Sequence, residues 1–236
     1  MGKLDQRVAV ITGGARGIGR EIALCFAREG ARCVLGDVLD LGAVSDEIKN
    51  LGQDVVTVSA DVSKKEDVEQ LVSTAIHTYN KVDILVNNAG IPSRKGLLEA
   101  TEAEWDDVFG VNLKGVFLCT QVAAKHMAER AYGRIINITS LAGFRGASAR
   151  VSPAYATSKA GVNRLKRICD KELGPSGITV NDIAPGLVMK ELPQTGRSPE
   201  AFKAFVDEDI KKTPLGRAGT VQDVAKLALF LASDEA

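Results

Sequence analysis

The sequence predicts an α/β fold, one domain in which a parallel sheet is covered by helices on both faces. Three observations predict it. Short β-branched runs alternate with longer amphipathic stretches along the whole chain. Strands and helices alternating at these lengths make βαβ units, and right-handed crossovers then place helices on both sides of the sheet. The 236 residues, 45% hydrophobic and 25% charged, suffice for one large core, and no linker, repeat or low-complexity segment interrupts them.

The first strand, at 8–12, runs into the turn TGGARGIG, from Thr12 to Gly19, and then into a helix near 18–29. A parallel sheet binds ligands beyond the carboxyl ends of its strands. Glycines at 13, 17 and 19 allow a tight turn and let backbone approach a pyrophosphate, while the helix N-terminus offers amide donors and a partial positive charge. The spacing is G-x-x-x-G-x-G rather than the commoner G-x-G-x-x-G, so a glycine-rich turn without a ligand is the alternative.

The second strand, at 32–37, ends at Asp37. A carboxylate there suits both hydroxyls of an adenosine ribose and repels a 2′-phosphate; the alternative is a cap for the helix near 40–51. The third strand, at 54–60, is followed by Asp61 and Val62, placed for an adenine amino group and ring face unless Asp61 and Ser63 cap the helix near 65–80. The fourth, at 84–87, ends in NNAG, from Asn87 to Gly90. Small residues there let backbone lie against a ligand, and an Asn side chain can tie neighbouring strands; a plain turn is the alternative. A long helical pattern covers 104–129, with Asn112 either functional or a structural kink, and with Trp105 assigned to packing.

The fifth strand, at 134–139, ends at Ser140. The helix near 153–173 follows, with Ser152 as capping hydroxyl, Pro153 at its first position and Gly174-Pro175 as its stop. The sixth strand, at 178–183, exits sharply through Ala184, Pro185 and Gly186. Helices near 198–212 and 220–232 follow, the last opened by Thr220 and Asp223 as a capping box. Each of the six strands thus carries its special residues at one edge, which six unrelated loops would not do by chance.

Composition narrows the function classes. Net charge is zero, so nothing points to nucleic acid, and no charge block reads as an interaction tail. Cys25, Cys33, Cys119 and Cys169 have no metal or redox spacing and read as reduced, mostly buried thiols. The start has no apolar signal region, Gln6 breaks a myristoylation signal, and no apolar run reaches the roughly 18 residues of a membrane helix. The sequon at Asn137 lies in an apolar strand and is set aside. A soluble cytoplasmic protein is expected.

Taken together, TGGARGIG, NNAG, Asn112, Ser140, Tyr155-x-x-x-Lys159 and Pro185-Gly186 resemble the short-chain dehydrogenase/reductase family in its single-domain form, from about residue 5 to the end. The resemblance implies a Rossmann-type doubly wound parallel sheet of six to seven strands in the order 3-2-1-4-5-6, and oxidation of alcohols or reduction of carbonyls with NAD or NADP. It implies a catalytic set of Asn112, Ser140, Tyr155 and Lys159, and no metal. Cofactor contacts fall on Gly13, Arg16, Gly17, Ile18, Gly19, Asp37, Asp61, Val62, Asn88, Ala89, Gly90, Tyr155, Lys159, Pro185, Gly186 and Val188. It further implies a homo-dimer or homo-tetramer, assembled through the long helices. Three departures stand out. The interval from Ser140 to Tyr155 is slightly long, Lys190 stands where the family often has threonine, and the family usually continues past this C-terminus into a seventh strand.

The helix near 153–173 explains the pairing of Tyr155 with Lys159. Residues four apart share a helix face. A free phenol titrates near about 10. A nearby ammonium and the first turn of a helix both favour the phenolate, so both are expected to lower that value. Tyr155 then exchanges a proton with the substrate, Ser140 holds the substrate oxygen, Lys159 also bonds the nicotinamide ribose, and Asn112 holds a water. The leading reading is an NAD-dependent oxidoreductase acting on a small-molecule secondary alcohol or ketone, with NAD preferred because of Asp37. Two alternatives remain: an NADPH-dependent 3-oxoacyl-thioester reductase using Arg16, and a dinucleotide-binding protein without turnover. The pocket is expected from 91–98, 141–153 and 187–212, the last a candidate lid, and Arg94, Arg145, Arg150 and Lys190 hint at an anionic substrate.

Overall fold

The computed structural model describes residues 2–93, 95–144, 152–189 and 199–236. Six parallel strands form the sheet, in the order β3-β2-β1-β4-β5-β6. They are β1 (Val8–Thr12), β2 (Arg32–Asp37), β3 (Val55–Ser59), β4 (Ile84–Asn87), β5 (Gly133–Ile138) and β6 (Ile178–Ile183). The connecting helices are α1 (Gly17–Arg28), α2 (Gly42–Asn50), α3 (Lys65–Tyr79), α4 (Glu102–Phe109), α5 (Gly115–Glu129) and α6 (Pro153–Leu173). After β6 come β7 (Val188–Met189), α7 (Pro199–Lys211), β8 (Gly219–Thr220) and α8 (Val221–Ala232).

The strand order reverses direction between β1 and β4, and such a switch point opens a crevice at the carboxyl ends of the strands. Two apolar layers hold the sheet. Ile11, Leu35, Val86 and Ile136 face α1 and α8, while Val10, Val34, Leu85 and Ile135 face α3 and α5. Alternate residues point to opposite faces, so strands buried on both faces read as continuous apolar runs. VAVIT in β1 is buried at every position.

Several local expectations come out differently. The helix expected over 104–129 is interrupted: α4 and α5 are joined by a π-helical turn, Gly110–Lys114. Pro153 opens α6, but no side chain caps that helix; the Ser152 hydroxyl is buried and bonds to that of Ser93. The helix ends at Leu173 with Gly174 as its cap, as expected, but Gly174 keeps right-handed geometry and opens a 3-10 turn, Gly174–Ser176, before Gly177 turns left-handed at φ +71°. The short parallel pair β7-β8 has no counterpart in the sequence reading, whereas the Thr220–Asp223 capping box is present at the start of α8.

Among the described residues, no helix is long and apolar enough to cross a membrane, and no group of three or more His, Cys, Asp or Glu side chains could hold a metal ion. All four cysteines are free. Burial pushes the Cys33 and Cys119 thiols up to about 12.

Candidate active site

Thr12 closes β1 and anchors the crevice. Its hydroxyl accepts from the amides of Asn88 and Ala89, both at 3.1 Å. The Asn88 side chain donates back to the carbonyls of Thr12 at 3.0 Å and Gly13 at 2.9 Å. The glycine turn and NNAG therefore form one bonded unit across β1 and β4. Gly13 is left-handed at φ +67°, and a Cβ there would sit 2.8 Å from Ala89 Cα. A Cβ on Gly19 would sit 2.1 Å from the Gly13 carbonyl oxygen, so α1 leaves this turn with no room for a side chain. Arg16 precedes α1 in extended geometry, exposed, and contributes no capping side chain. A helix N-terminus without a cap of its own is suited to receive an anion. Ile18 is buried in the core, which leaves only its backbone for a ligand.

Asp37 does not cap α2, whose preceding residue is Leu41. Its carboxylate accepts from the amide of Ala15 at 2.9 Å and that of Leu39 at 3.0 Å, tying the end of β2 to the glycine turn. Asp61 accepts from both the amide and the hydroxyl of Ser63, at 3.0 and 2.7 Å. Burial works against the Asp61 charge, but the Ser63 bonds together with the charges of Lys64 and Lys114 outweigh it and hold the carboxyl below its ordinary value. Val62 is buried against Gly115.

The catalytic candidates meet at the carboxyl ends of β4 and β5. Lys159 is 4% exposed, and its Nζ donates to the Ile138 carbonyl at 2.8 Å while lying 5.9 Å from the centre of the Tyr155 ring. The Ser140 hydroxyl starts the short 3-10 turn Leu141–Gly143, accepting from Ala142 N at 3.2 Å. Asn112 lies inside the π turn, fully buried. Its Oδ1 accepts from Ile91 N at 2.8 Å, and its Nδ2 donates to Ile91 O at 3.0 Å and Ser158 Oγ at 3.3 Å. Gly90 keeps these groups close: a Cβ there would stand 3.2 Å from Asn112 Oδ1 and 3.5 Å from Lys159 Nζ. A π turn at a functional position is a recurrent association.

Burial pushes the Tyr155 phenol up from its ordinary value, and a bond to Ser140 opposes that push. The expected net lowering by Lys159 and the helix terminus does not appear in the protein alone. Burial penalises the phenolate, and the Lys159 ammonium is bonded to the Ile138 carbonyl.

Pro185 and Gly186 are laid against the Ser140 turn: Leu141 N donates to Pro185 O at 3.1 Å. Val188 begins the β7-β8 pair opposite Gly219. Arg94, Arg145, Arg150 and Lys190 lie outside the described residues, as does 190–198 of the candidate lid. Trp105 stacks on Phe109 with ring centres 4.4 Å apart, in keeping with packing. Two groups went unread in the sequence. Thr12 looks like any strand threonine. Ser93, Glu104 and Ser152 form a polar knot, with Ser93 Oγ 2.6 Å from Glu104 Oε1, and nothing in their spacing marks them as partners.

Comparisons with known proteins agree with this architecture. The chain matches the family described as short chain dehydrogenase over residues 7–201. It is 41% identical over 234 residues to the (2S)-[(R)-hydroxy(phenyl)methyl]succinyl-CoA dehydrogenase subunit BbsD of Thauera aromatica, covering 98% of this chain and 91% of the relative. It is 37% identical over 235 residues to the 3-oxoacyl-[acyl-carrier-protein] reductase FabG of Thermotoga maritima, covering 99% and 93%. Among solved structures, that of levodione reductase superposes with a TM-score of 0.92 at 34% identity, covering 98% of this chain and 92% of the other. The chain belongs to the short-chain dehydrogenase family and is an oxidoreductase. Members of this family bind NAD or NADP, and the cradle fits such a group: the glycine turn excludes side chains where a pyrophosphate approaches, and Asp37 ends the neighbouring strand.

Proposed function

We propose that the whole chain works as one dinucleotide-binding domain that interconverts a secondary alcohol and a ketone, with Tyr155 as general acid and base. The observation that carries this reading is the meeting of Tyr155, Ser140 and Lys159 beside the glycine turn, at the carboxyl rim of the sheet. Gly13, Gly17 and Gly19 would admit the pyrophosphate, Asp37 the adenosine ribose and Lys159 the nicotinamide ribose. The nicotinamide, when bound, supplies or accepts the hydride. In oxidation, the Tyr155 phenolate oxygen takes the proton of the substrate hydroxyl and becomes the phenol; in reduction, the phenol gives that proton back. Ser140 donates to the same oxygen and stabilises charge developing there. Asn112 holds Ile91 and hence the floor under Gly90. NAD is the favoured partner, because a carboxylate 9% exposed at the end of β2 opposes a 2′-phosphate.

A second reading concerns the substrate. The Thauera and Thermotoga relatives are both named for acyl thioesters. A hydroxyacyl or 3-oxoacyl thioester is therefore the next substrate class to test, with NADPH and the exposed Arg16 as its companions. We place the protein in the cytoplasm, where free thiols stay reduced. We further propose a homo-dimer or homo-tetramer through the outer faces of α5 and α6, where Phe117 and Ile168 are half-exposed.

Separate fluorescence titrations with NADH and NADPH test the cofactor assignment. NADH is expected to bind more tightly; tighter NADPH would reverse it. A panel of ketones, alcohols and 3-oxoacyl thioesters, followed by nicotinamide absorbance, then identifies the substrate class.

A further inference from the structure

Tyr155 stands between two buried serines, Ser152 at the start of α6 and Ser158 within it, each three residues away. Residues at that spacing are neighbours on a helix. Each serine is tied to the segment that follows NNAG, and through it to the stretch from α4 to the π turn. One tie is the Asn112 set. Asn112 holds both backbone groups of Ile91 and reaches Ser158 Oγ at 3.3 Å, and Ser158 Oγ donates to the Tyr155 carbonyl at 2.8 Å. The other tie has no part in the reaction described above. Ser93 Oγ lies 2.6 Å from Glu104 Oε1 on α4 and is also bonded to Ser152 Oγ.

The second tie has a direction. A hydroxyl carries one proton, and a carboxylate only accepts. Ser93 therefore donates to Glu104 and receives the proton of Ser152, so the chain runs from Ser152 through Ser93 to Glu104. A charged acceptor at its end makes the stronger kind of hydrogen bond. Glu104 is itself fixed. Its amide donates to Thr101 Oγ1 at 3.2 Å in the first turn of α4, where negative charge is favoured. Its other oxygen, Oε2, lies 3.5 Å from Lys95 Nζ, on the same segment as Ser93. A capping hydroxyl would stabilise α6, yet Ser152 turns its hydroxyl to Ser93 instead, and only its carbonyl serves the helix, accepting from Ala156 N at 3.0 Å. The first turn of α6 is thereby anchored to α4 just ahead of Tyr155.

We propose that Glu104 is a positioning residue for Tyr155: through Ser93 and Ser152 it fixes the first turn of α6, as Asn112 and Ser158 fix the next. This rests on reading Tyr155 as the acid and base. A proton passes only within hydrogen-bond reach, so a first turn free to shift would carry the phenol out of line with the oxygen that Ser140 holds.

The test compares Ser93→Ala, Ser152→Ala and the double variant, each in the full chain, with the ketone of the panel that the parent reduces fastest. The readout is the single-turnover rate of reduced-nicotinamide oxidation at saturating ketone. Each single variant is expected to lower that rate about ten- to a hundredfold while dinucleotide affinity is retained. Both break one chain, so the double variant should be no slower than the slower single variant; losses that multiply would mean independent contacts and overturn the proposal. Glu104→Ala should match Ser93→Ala. Glu104→Gln keeps an acceptor for Ser93 and should recover most of the loss; a Gln variant as slow as the Ala variant overturns the proposal. Hydrogen–deuterium exchange over 153–158 should quicken in the alanine variants and stay unchanged in α8. A purely structural role would lower Tm and quicken exchange but leave the rate of the folded protein in place, which overturns the proposal, as does failure of every alanine variant to fold. If Tyr155→Phe keeps full turnover, the acid–base reading itself fails; if it is inactive while Ser93→Ala and Ser152→Ala keep the parental rate, only the Glu104 proposal fails.

Discussion

A single methyl group on Gly19 would stand 2.1 Å from the Gly13 carbonyl oxygen and 2.4 Å from Asn88 Nδ2. The oxygen belongs to backbone that is itself held by Asn88, so neither neighbour yields easily. Gly19→Ala should therefore lower stability by about 1–3 kcal/mol and weaken dinucleotide binding; urea unfolding and a fluorescence titration would show both, and unchanged values would refute the fit of α1 against the turn. Tyr155 carries a pH consequence. Its folded value is raised by burial, so its contribution to stability is complete below the unfolded value near about 10 and is lost as pH climbs through the folded value. Unfolding midpoints of the parent should fall more steeply above that pH than those of Tyr155→Phe; parallel curves would contradict the raised value. The Tyr155–Lys159 spacing was legible because residues four apart share a face. Their electrostatics were not, because burial and the Ile138 carbonyl come from tertiary packing.

The interruption between α4 and α5 shows what an element owes to distant partners. Asn112 satisfies both backbone groups of Ile91, a residue 21 positions away. Asn112→Ala leaves a buried amide and carbonyl without that partner, which should cost about 1–3 kcal/mol. Asn112→Asp keeps only the acceptor for Ile91 N and should fall between Ala and the parent in a denaturation series; an Ala variant as stable as the parent would show that the π turn stands without this bond. The six sheet strands were readable as apolar runs bounded by Gly, Pro, Asn and Asp. The π turn was not, since the apolar spacing through 104–129 continues across it. The pair β7-β8 is too short, at two residues each, to carry any period.

Across the whole molecule, the parallel sheet sets both the core and the rim. Cys33 and Cys119 lie in the core with thiols pushed up to about 12, whereas Cys25 and Cys169 are only partly buried. Thiolate is the reactive form, so a thiol reagent at neutral pH should label at most Cys25 and Cys169 in the native protein and all four after denaturation. Native labelling of Cys33 or Cys119, located by peptide mass mapping, would contradict the packing. The rim is where one edge gathers Thr12, Asp37, Gly90, Ser140 and Gly186 from five strand ends. That gathering was visible in the sequence because each strand ended in residues a strand interior disfavours. The chain Ser152–Ser93–Glu104 was not, because only packing brings its members together. The most direct measurement of the central assignment is kcat/KM of Tyr155→Phe beside its dinucleotide affinity. Affinity within a few-fold of the parent, with turnover lowered about a hundred- to ten-thousand-fold, is the predicted result. Turnover within about threefold of the parent, with binding intact, would contradict it.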